Sequence, residues 1–246
     1  NATYSDNCLG ATLSYVIAGV TSSSGNGQVG SFTFNKGVST ITYTVTDASG
    51  NVATSSMTVT VNDNEAPVIA TPAAISVVTD PALCTASVAV SNVNFTDNCS
   101  GAVISYSISG ATTGSGNGQV GSVTFNIGTS TILYTATDAS GNTSTSSRTV
   151  TVVDNQNPVI NALTNVSVNA DAGVCTALVS IANAVYTDNC TGANIAYAIS
   201  GATTLIGSGQ VGSQTFNKGV STILYTATDA SGNTTTASMT VTVIDN

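Results

Sequence analysis

The chain has 246 residues, of which only three are basic and twelve are acidic, and it contains neither His nor Trp. Its net charge of −9 excludes the clustered basic surface that nucleic-acid binding requires. Its apolar content of 41% argues against disorder, and no segment approaches the ~18–20 consecutive apolar residues of a membrane-spanning helix.

The main feature of the chain is a repeat of 91 residues that recurs without insertion or deletion. The motifs Asp-Asn-Cys and Asp-Ala-Ser-Gly-Asn each occur three times at this period, opening at Asp6, Asp97 and Asp188 and at Asp47, Asp138 and Asp229. We therefore expect part of one repeat in residues 1–64 and complete repeats in residues 65–155 and 156–246, as in an excerpt from a longer array.

Short alternating segments predict β-strands along each repeat. In the second repeat we expect strands at 67–69, 75–79, 84–90, 103–109, 122–125, 131–137 and 148–153. The Gly-rich stretch 110–121 reads as a flexible connection. Around seven short strands in about 90 residues indicate an all-β fold of tandem immunoglobulin-like β-sandwich repeats, arranged as an elongated array.

Two kinds of side chain on these strands have a structural interpretation. The tyrosines that recur at strand positions are expected in the core, rather than stacked on a ligand; they are Tyr15, Tyr106, Tyr197, Tyr43, Tyr134 and Tyr225. Arg148 stands where the other copies have Met57 and Met239, and we expect it to extend to solvent at a domain edge.

The five cysteines recur with the repeat, and 15 positions separate Cys84 from Cys99 and Cys175 from Cys190. We predict a disulfide within each repeat, because the chain has no His and no C-x-x-C motif that would favour a metal. The alternative is that Cys84 of one repeat bonds to Cys190 of the next. Oxidised pairs of either kind place the protein outside the cytoplasm.

Acidic residues concentrate in loops that an immunoglobulin-like topology brings to one end of the sandwich. Their carboxylates, with Asn carbonyl oxygens, would suit calcium, which takes 6–8 oxygen ligands. The predicted calcium ligands are Asp63, Asn64, Glu65, Asp97, Asp138, Asn142, Asp154, Asn155, Asp188, Asp229 and Asn233. The alternative is that these Asp and Asn residues only stabilise turns.

The ordered set of motifs resembles the HYR (hyalin repeat) family. It comprises Asp63–Ile69, Cys84–Val88, Thr96–Cys99 and the segment Gly128–Tyr134 leading to Thr137–Asn142. The resemblance implies an immunoglobulin-like extracellular module. Two further cysteines of many HYR repeats are replaced here, by Thr71 and near Ser146, and their absence supports pairing of Cys84 with Cys99. Tandem copies rich in Thr, Ser and Asn are similar to Bacteroidota surface adhesins, including gliding-motility adhesins exported by type 9 secretion.

Catalysis has little support in the sequence. Glu65 is the only Glu, and no acid–base or nucleophile–base pair recurs among the copies. Lys36 and Lys218 align with Ile127, so a Lys–Asn cross-link cannot be common to all repeats. We expect a non-enzymatic adhesive stalk that contacts neighbouring repeats and, as partners, surface polysaccharide or other adhesin chains. The alternatives are an array of carbohydrate- or protein-binding modules, or a spacer attached to a secreted enzyme.

Overall fold

The computed structural model describes residues 1–245, and every helix or strand assigned in that range is a β-strand. The predicted all-β fold is thus confirmed. Two compact units are present: one contains Asn1–Val68, Phe95–Val103 and Ala136–Ser144, and the other contains Ile69–Asn94, Ile104–Thr135 and the chain from Thr145 on. Within residues 1–245, no helix has the length and apolar character needed to cross a membrane.

The first copy of the repeat forms a four-stranded antiparallel sheet with the strand order β2-β1-β3-β4. Its strands are β1 (Thr12–Gly19), β2 (Ser23–Asn26), β3 (Gly37–Thr46) and β4 (Val52–Val61). Alternate residues of β1 and β3 point to one face, because successive side chains of a strand lie on opposite sides. That face supplies the buried cluster of Leu13, Ile17, Ile41 and Tyr43.

The second copy contains nine strands in three sheets. They are β5 (Val68–Ile69), β6 (Ile75–Val78), β7 (Thr85–Val90), β8 (Phe95–Thr96), β9 (Val103–Gly110), β10 (Gly114–Asn117), β11 (Gly121–Asn126), β12 (Gly128–Thr137) and β13 (Thr143–Val153). The largest sheet has the order β10-β9-β12-β13-β6, and β6 runs parallel to β13. The pairs β11-β7 and β5-β8 complete the repeat.

The third copy repeats this topology. Its strands are β14 (Val159–Ile160), β15 (Val166–Asn169), β16 (Thr176–Ser180), β17 (Tyr186–Thr187), β18 (Asn194–Gly201), β19 (Leu205–Ser208), β20 (Ser213–Asn217), β21 (Gly219–Thr228) and β22 (Thr234–Ile244). The five-stranded sheet has the order β15-β22-β21-β18-β19, and β16 pairs with β20. One buried cluster joins side chains of both sheets, so the repeat is a two-layered β-sandwich.

Three of the six recurring tyrosines are buried in the core, as the sequence predicts, and the other three are only partly buried, namely Tyr15, Tyr106 and Tyr197. Tyr134 and Tyr225 are at most 1% exposed, and Phe125 and Phe216 are fully buried. Burial of one such side chain contributes roughly 1.5–3 kcal/mol relative to an exposed one. Tyr43, the equivalent in the first copy, is also buried. These residues therefore stabilise the fold.

Two features differ from the sequence-based expectations. The Gly-rich stretch is ordered as β10, which pairs with β9, because Gly116 leaves room for the ring of Tyr106: a Cβ at Gly116 would lie 2.8 Å from the Tyr106 hydroxyl oxygen. The solvent-exposed position expected for Arg148 is wrong. Its side chain is buried, lies 5.8 Å from the Tyr134 ring centroid and donates hydrogen bonds to Ser91. The boundaries at 64/65 and 155/156 and the elongated arrangement remain predictions.

Candidate functional site: two acidic clusters and an inter-repeat disulfide

The motif Asp-Ala-Ser-Gly-Asn forms a turn closed by its own first and last side chains. Asp138 Oδ1 accepts hydrogen bonds from the backbone N–H groups of Ser140 and Asn142, each at 2.8 Å, and Asp138 Oδ2 accepts one from Asn142 Nδ2 at 2.8 Å. The other copies make the same contacts from Asp47 and Asp229. The turn-stabilising role considered for these residues is therefore present in all three copies.

The pKa values of the aspartates in these turns reflect this arrangement. Burial alone would raise the pKa of Asp138, but the hydrogen bonds from Asn142 and Ser140 outweigh it and lower the pKa below the usual value. The pKa of Asp229 is lowered by the equivalent balance with Asn233 and Ser231. Both carboxylates are thus held in their charged form.

In the second and third copies, the closing Asn of the turn also contacts the Asp-Asn segment at the end of the preceding repeat. Asn142 Nδ2 donates to the carbonyl oxygen of Asp63 at 3.1 Å, and Asn233 Nδ2 donates to that of Asp154 at 3.2 Å. A hydrogen bond to a backbone carbonyl oxygen outside a regular sheet restricts the conformation of the chain at that residue. The side chain therefore positions the segment from which the next acidic residues project.

The first acidic cluster consists of Asp63, Asp97 and Asp138, and one carboxylate oxygen from each lies within 4.8 Å of the others. Lys36 supplies a positive charge to it, because its Nζ lies 3.3 Å from Asp63 Oδ2. The Asp63 side chain is 1% exposed. Burial raises the pKa of Asp63, but the Cys99 thiol, the Glu65 N–H and the Lys36 ammonium together lower it.

Cys99 lies beside this cluster and forms no disulfide within residues 1–245. It is half-buried and carries a free thiol. A hydrogen bond from the thiol to the Asp63 carboxylate, with burial and the nearby negative charges, raises the pKa of Cys99. Because the thiolate is the reactive form, this environment suppresses its reactivity.

The second acidic cluster consists of Asp154 and Asp188, whose carboxylate oxygens lie within 4.8 Å of each other and of Cys190 Sγ. Asp154 is 3% exposed, and its Oδ1 accepts hydrogen bonds from Thr79 Oγ1 at 3.2 Å and from Asn189 Nδ2 at 3.1 Å. Asp188 Oδ2 accepts one from the Cys190 N–H at 3.0 Å. The groups that donate to Asp154 and Asp188 are thus neutral, whereas the first cluster contains the ammonium group of Lys36.

The disulfide joins Cys84 to Cys190, with a Cα–Cα distance of 4.9 Å across 106 positions of sequence. The predicted pairs Cys84–Cys99 and Cys175–Cys190 are therefore wrong, and the alternative that links adjacent repeats is the one observed. The physical reason is strand β7, whose six residues span ~20 Å between Cys84 and the region of Cys99. A disulfide tolerates a Cα–Cα distance of at most ~7 Å. Cys8, Cys99 and Cys175 have free thiols.

The structure brings only some of the predicted calcium ligands together. Asn64, Glu65 and Asn155 are exposed, and Asp229 does not belong to the second acidic cluster as described over residues 1–245. The amide nitrogen of Asn233 donates to the Asp154 carbonyl oxygen and to Asp229 Oδ2. Asn189 was not among the predicted ligands, although it belongs to the recurring Asp-Asn-Cys motif. Gln156, which donates to Thr79 Oγ1 and to the Asp80 carbonyl oxygen, was not among them either.

Comparison with known families agrees with the motifs. The HYR domain matches residues 11–61 and 153–243, which is more than half of the chain. The chain belongs to the HYR domain family. HYR repeats are extracellular modules, and the disulfide between two of them here is consistent with an oxidising compartment.

Solved structures similar to these HYR repeats include extracellular cadherin domains. Protocadherin gamma B2 domains 1–5 are 16% identical, with 85% of this chain and 46% of that chain covered and a TM-score of 0.36. Drosophila N-cadherin EC1–4 is 16% identical over 85% and 58%, with a TM-score of 0.37. Mouse cadherin-23 EC22–24 is 17% identical over 95% and 86%, with a TM-score of 0.35. The chain thus spans about half the length of the protocadherin, and the fold assignment rests on the strand pairing described above.

Proposed function

We propose that this chain is a load-bearing segment of a long extracellular adhesin or filament, in which HYR repeats form a stalk. In particular, we propose a gliding-motility adhesin of the kind that Bacteroidota export by type 9 secretion. The observation that carries the proposal is the disulfide between Cys84 of the second repeat and Cys190 of the third. A covalent bond between successive repeats strengthens an array without contributing to catalysis.

Non-covalent contacts surround this disulfide. Asn189 Nδ2 donates to the Leu83 carbonyl oxygen at 2.9 Å, and Gln156 Oε1 accepts from the Ala82 N–H at 2.8 Å. Both contacts join the turn before β7 to residues of the third repeat or its leading segment. These neighbouring repeats of the same chain are therefore partners, and their contact region is fixed by hydrogen bonds as well as by the disulfide.

The disulfide has a direct mechanical consequence under tension. A pulling force applied to the two ends passes through the Cys84–Cys190 bond, so the 106 positions between them cannot extend. At ~3.3–3.6 Å per residue, the fully extended chain is about 350–380 Å shorter with the disulfide intact than with it reduced. Only residues 65–83 of the second repeat lie outside the closed loop, so this repeat releases little length when it unfolds in the oxidised chain. That behaviour suits a tether that must stay short under load.

Single-molecule force spectroscopy on the whole chain tests this proposal. We expect the fully extended chain to lengthen by about 350–380 Å when the disulfide is reduced. The double variant Cys84→Ser, Cys190→Ser should show the long extension without reductant, and the matched variant Cys99→Ser should not. An oxidised chain as long as the reduced one would contradict the load-bearing role.

A binding array is the second candidate, favoured by one surface feature of the third repeat. Strand β19 exposes Ile206 and part of Leu205, with 81% and 36% of their surfaces accessible, where the second repeat has Ser115 and Gly114. Such copy-specific apolar residues suit recognition of another protein chain or of a polysaccharide. Binding of surface polysaccharide or adhesin fragments that is lost in the variant Leu205→Gly, Ile206→Ser would favour this function.

A further inference from the structure

The second acidic cluster contains buried oxygen atoms that lack hydrogen-bond donors. Asp154 is 3% exposed, and its Oδ1 accepts from Thr79, Gln156 and Asn189, whereas its Oδ2 has no partner. Asp188 Oδ1 is also buried without a partner. Buried acceptors are nearly always satisfied in folded proteins. Two such oxygens in adjacent carboxylates indicate that a positively charged group belongs there.

Asn189 contributes a third oxygen of the same kind. Its Nδ2 donates to the Leu83 carbonyl oxygen at 2.9 Å and to Asp154 Oδ1 at 3.1 Å, so both donor contacts fix the orientation of the amide. The Oδ1 of Asn189 is left buried without a hydrogen-bond partner. The second cluster therefore offers three oxygen atoms, two of them from carboxylates.

The basic side chains of the protein are all engaged elsewhere. Lys36 pairs with Asp63, Lys218 pairs with Asp245, and Arg148 hydrogen-bonds to Ser91. Within residues 1–245, the ion pairs of the structure thus leave Asp154 and Asp188 without a cationic side chain. Two adjacent carboxylates that are removed from water need a compensating charge.

The repeat itself shows which charge is missing. Lys36 lies 27 positions before Asp63, and Lys218 lies 27 positions before Asp245. In the second repeat the position 27 residues before Asp154 is Ile127. Two of the three copies thus provide an ammonium group to this aspartate, and the second copy provides an aliphatic side chain.

We infer that Asp154, Asp188 and Asn189 bind one calcium ion, which supplies the positive charge that Lys36 supplies to the first acidic cluster. The donor atoms are all oxygen, which calcium prefers, and Cys190 is held in a disulfide and so offers no thiolate for zinc. A surface cavity of about 280 Å³, lined in part by Gln156, Asp188 and Asn189, lies beside these residues. The inference does not depend on the proposed stalk function.

Isothermal titration of the whole oxidised chain with CaCl₂ tests the inference. We expect one calcium ion per chain and a rise in melting temperature that EDTA reverses, because a ligand that binds only the folded state stabilises it. Asp154→Asn should lower the affinity at least tenfold. The matched substitution Asp63→Asn, at the equivalent position of the first cluster, should leave the affinity unchanged.

Exchange of lysine and isoleucine gives a second, independent test. Ile127→Lys should abolish calcium binding while the circular dichroism spectrum stays that of a β protein, because two other copies fold with lysine at this position. Lys36→Ile should raise the stoichiometry from one ion to two, because it removes the ammonium from the first cluster.

Several results would overturn the inference. They are the absence of calcium binding at millimolar concentration, equal affinity in Asp154→Asn, unchanged binding in Ile127→Lys, or a stoichiometry that stays at one in Lys36→Ile. Binding of magnesium in preference to calcium would overturn the choice of ion. None of these measurements depends on the extension under force, so the failure of one proposal is distinguishable from that of the other.

Discussion

The two acidic clusters arise from the same sequence positions of successive repeats, and yet they compensate their charge differently. In the first, the Lys36 ammonium group lies 3.3 Å from the Asp63 carboxylate. In the second, Ile127 replaces the lysine and Cys190 is oxidised to a disulfide with Cys84. The Asp154 and Asp188 oxygens are then left without donors. Asp97 Oδ1 of the first cluster also lacks a donor, so the clusters differ chiefly in the lysine that approaches Asp63 and has no counterpart at Asp154.

What the clusters share is the turn that holds them. Asn142 and Asn233 make the same hydrogen bonds to their own turns and to the carbonyl oxygens of Asp63 and Asp154. The backbone frame is therefore constant, and the difference lies in the side chains attached to it. The following predictions test that distinction, beginning with the largest expected effect.

Removal of the disulfide should affect stability far more than removal of the free thiol in the first cluster. For Cys84→Ser, Cys190→Ser we expect a loss of about 4–5 kcal/mol in the free energy of unfolding, because the bond closes a loop on the order of 100 residues. Cys99→Ser should change it by less than about 1 kcal/mol. Guanidinium unfolding followed by far-UV circular dichroism measures both. Equal losses would show that the two cysteines have equivalent structural roles.

Loss of the closing asparagine should destabilise both turns to a similar extent. Asn142→Ala and Asn233→Ala each remove hydrogen bonds to an aspartate side chain and to a backbone carbonyl oxygen. We expect each to cost about 1–3 kcal/mol. Hydrogen exchange of the amides in residues 138–142 and 229–233 would locate the effect. A loss confined to one repeat would contradict the constant frame.

The Cys99 thiol should react slowly with iodoacetamide, and Asp63→Asn should accelerate the reaction. The carboxylate of Asp63 raises the pKa of Cys99, so its removal increases the fraction of thiolate. Mass spectrometry of the alkylated peptides at pH 8 measures the rate. Cys175, which is exposed and distant in sequence from Asp63, serves as the internal control and should be unaffected. An unchanged Cys99 rate would disprove the thiol–carboxylate contact.

Acid should weaken both turns in the same pH range. Because the pKa values of Asp138 and Asp229 are lower in the folded protein than the ordinary 3.8, each carboxylate stabilises the fold above that value. This stabilisation is lost as the pH falls from about 4 through the folded pKa. Carboxyl carbon NMR titration should place both midpoints below 3.8, whereas a midpoint above it would contradict the hydrogen bonding described.

The period, the all-β fold and the burial of Tyr43, Tyr134 and Tyr225 could be predicted from the sequence, because alternation along a strand indicates which face is buried. The sequence also located the acidic residues in loops that meet at one end of a repeat. It did not determine that Arg148 is buried, since Ser91 lies 57 positions away along the chain. The burial of a long charged side chain depends on such distant partners.

The partner of Cys84 could not be assigned from the sequence. A spacing of 15 residues indicates proximity only if the chain folds back, and strand β7 carries the two positions apart instead. Residues 106 positions away come within bonding distance because separate loops of adjacent repeats meet. The same holds for Lys36, whose importance follows from its contact with the Asp63 carboxylate. Sequence patterns record local geometry, whereas cross-links and charge compensation depend on distances between segments that only the packed fold brings together.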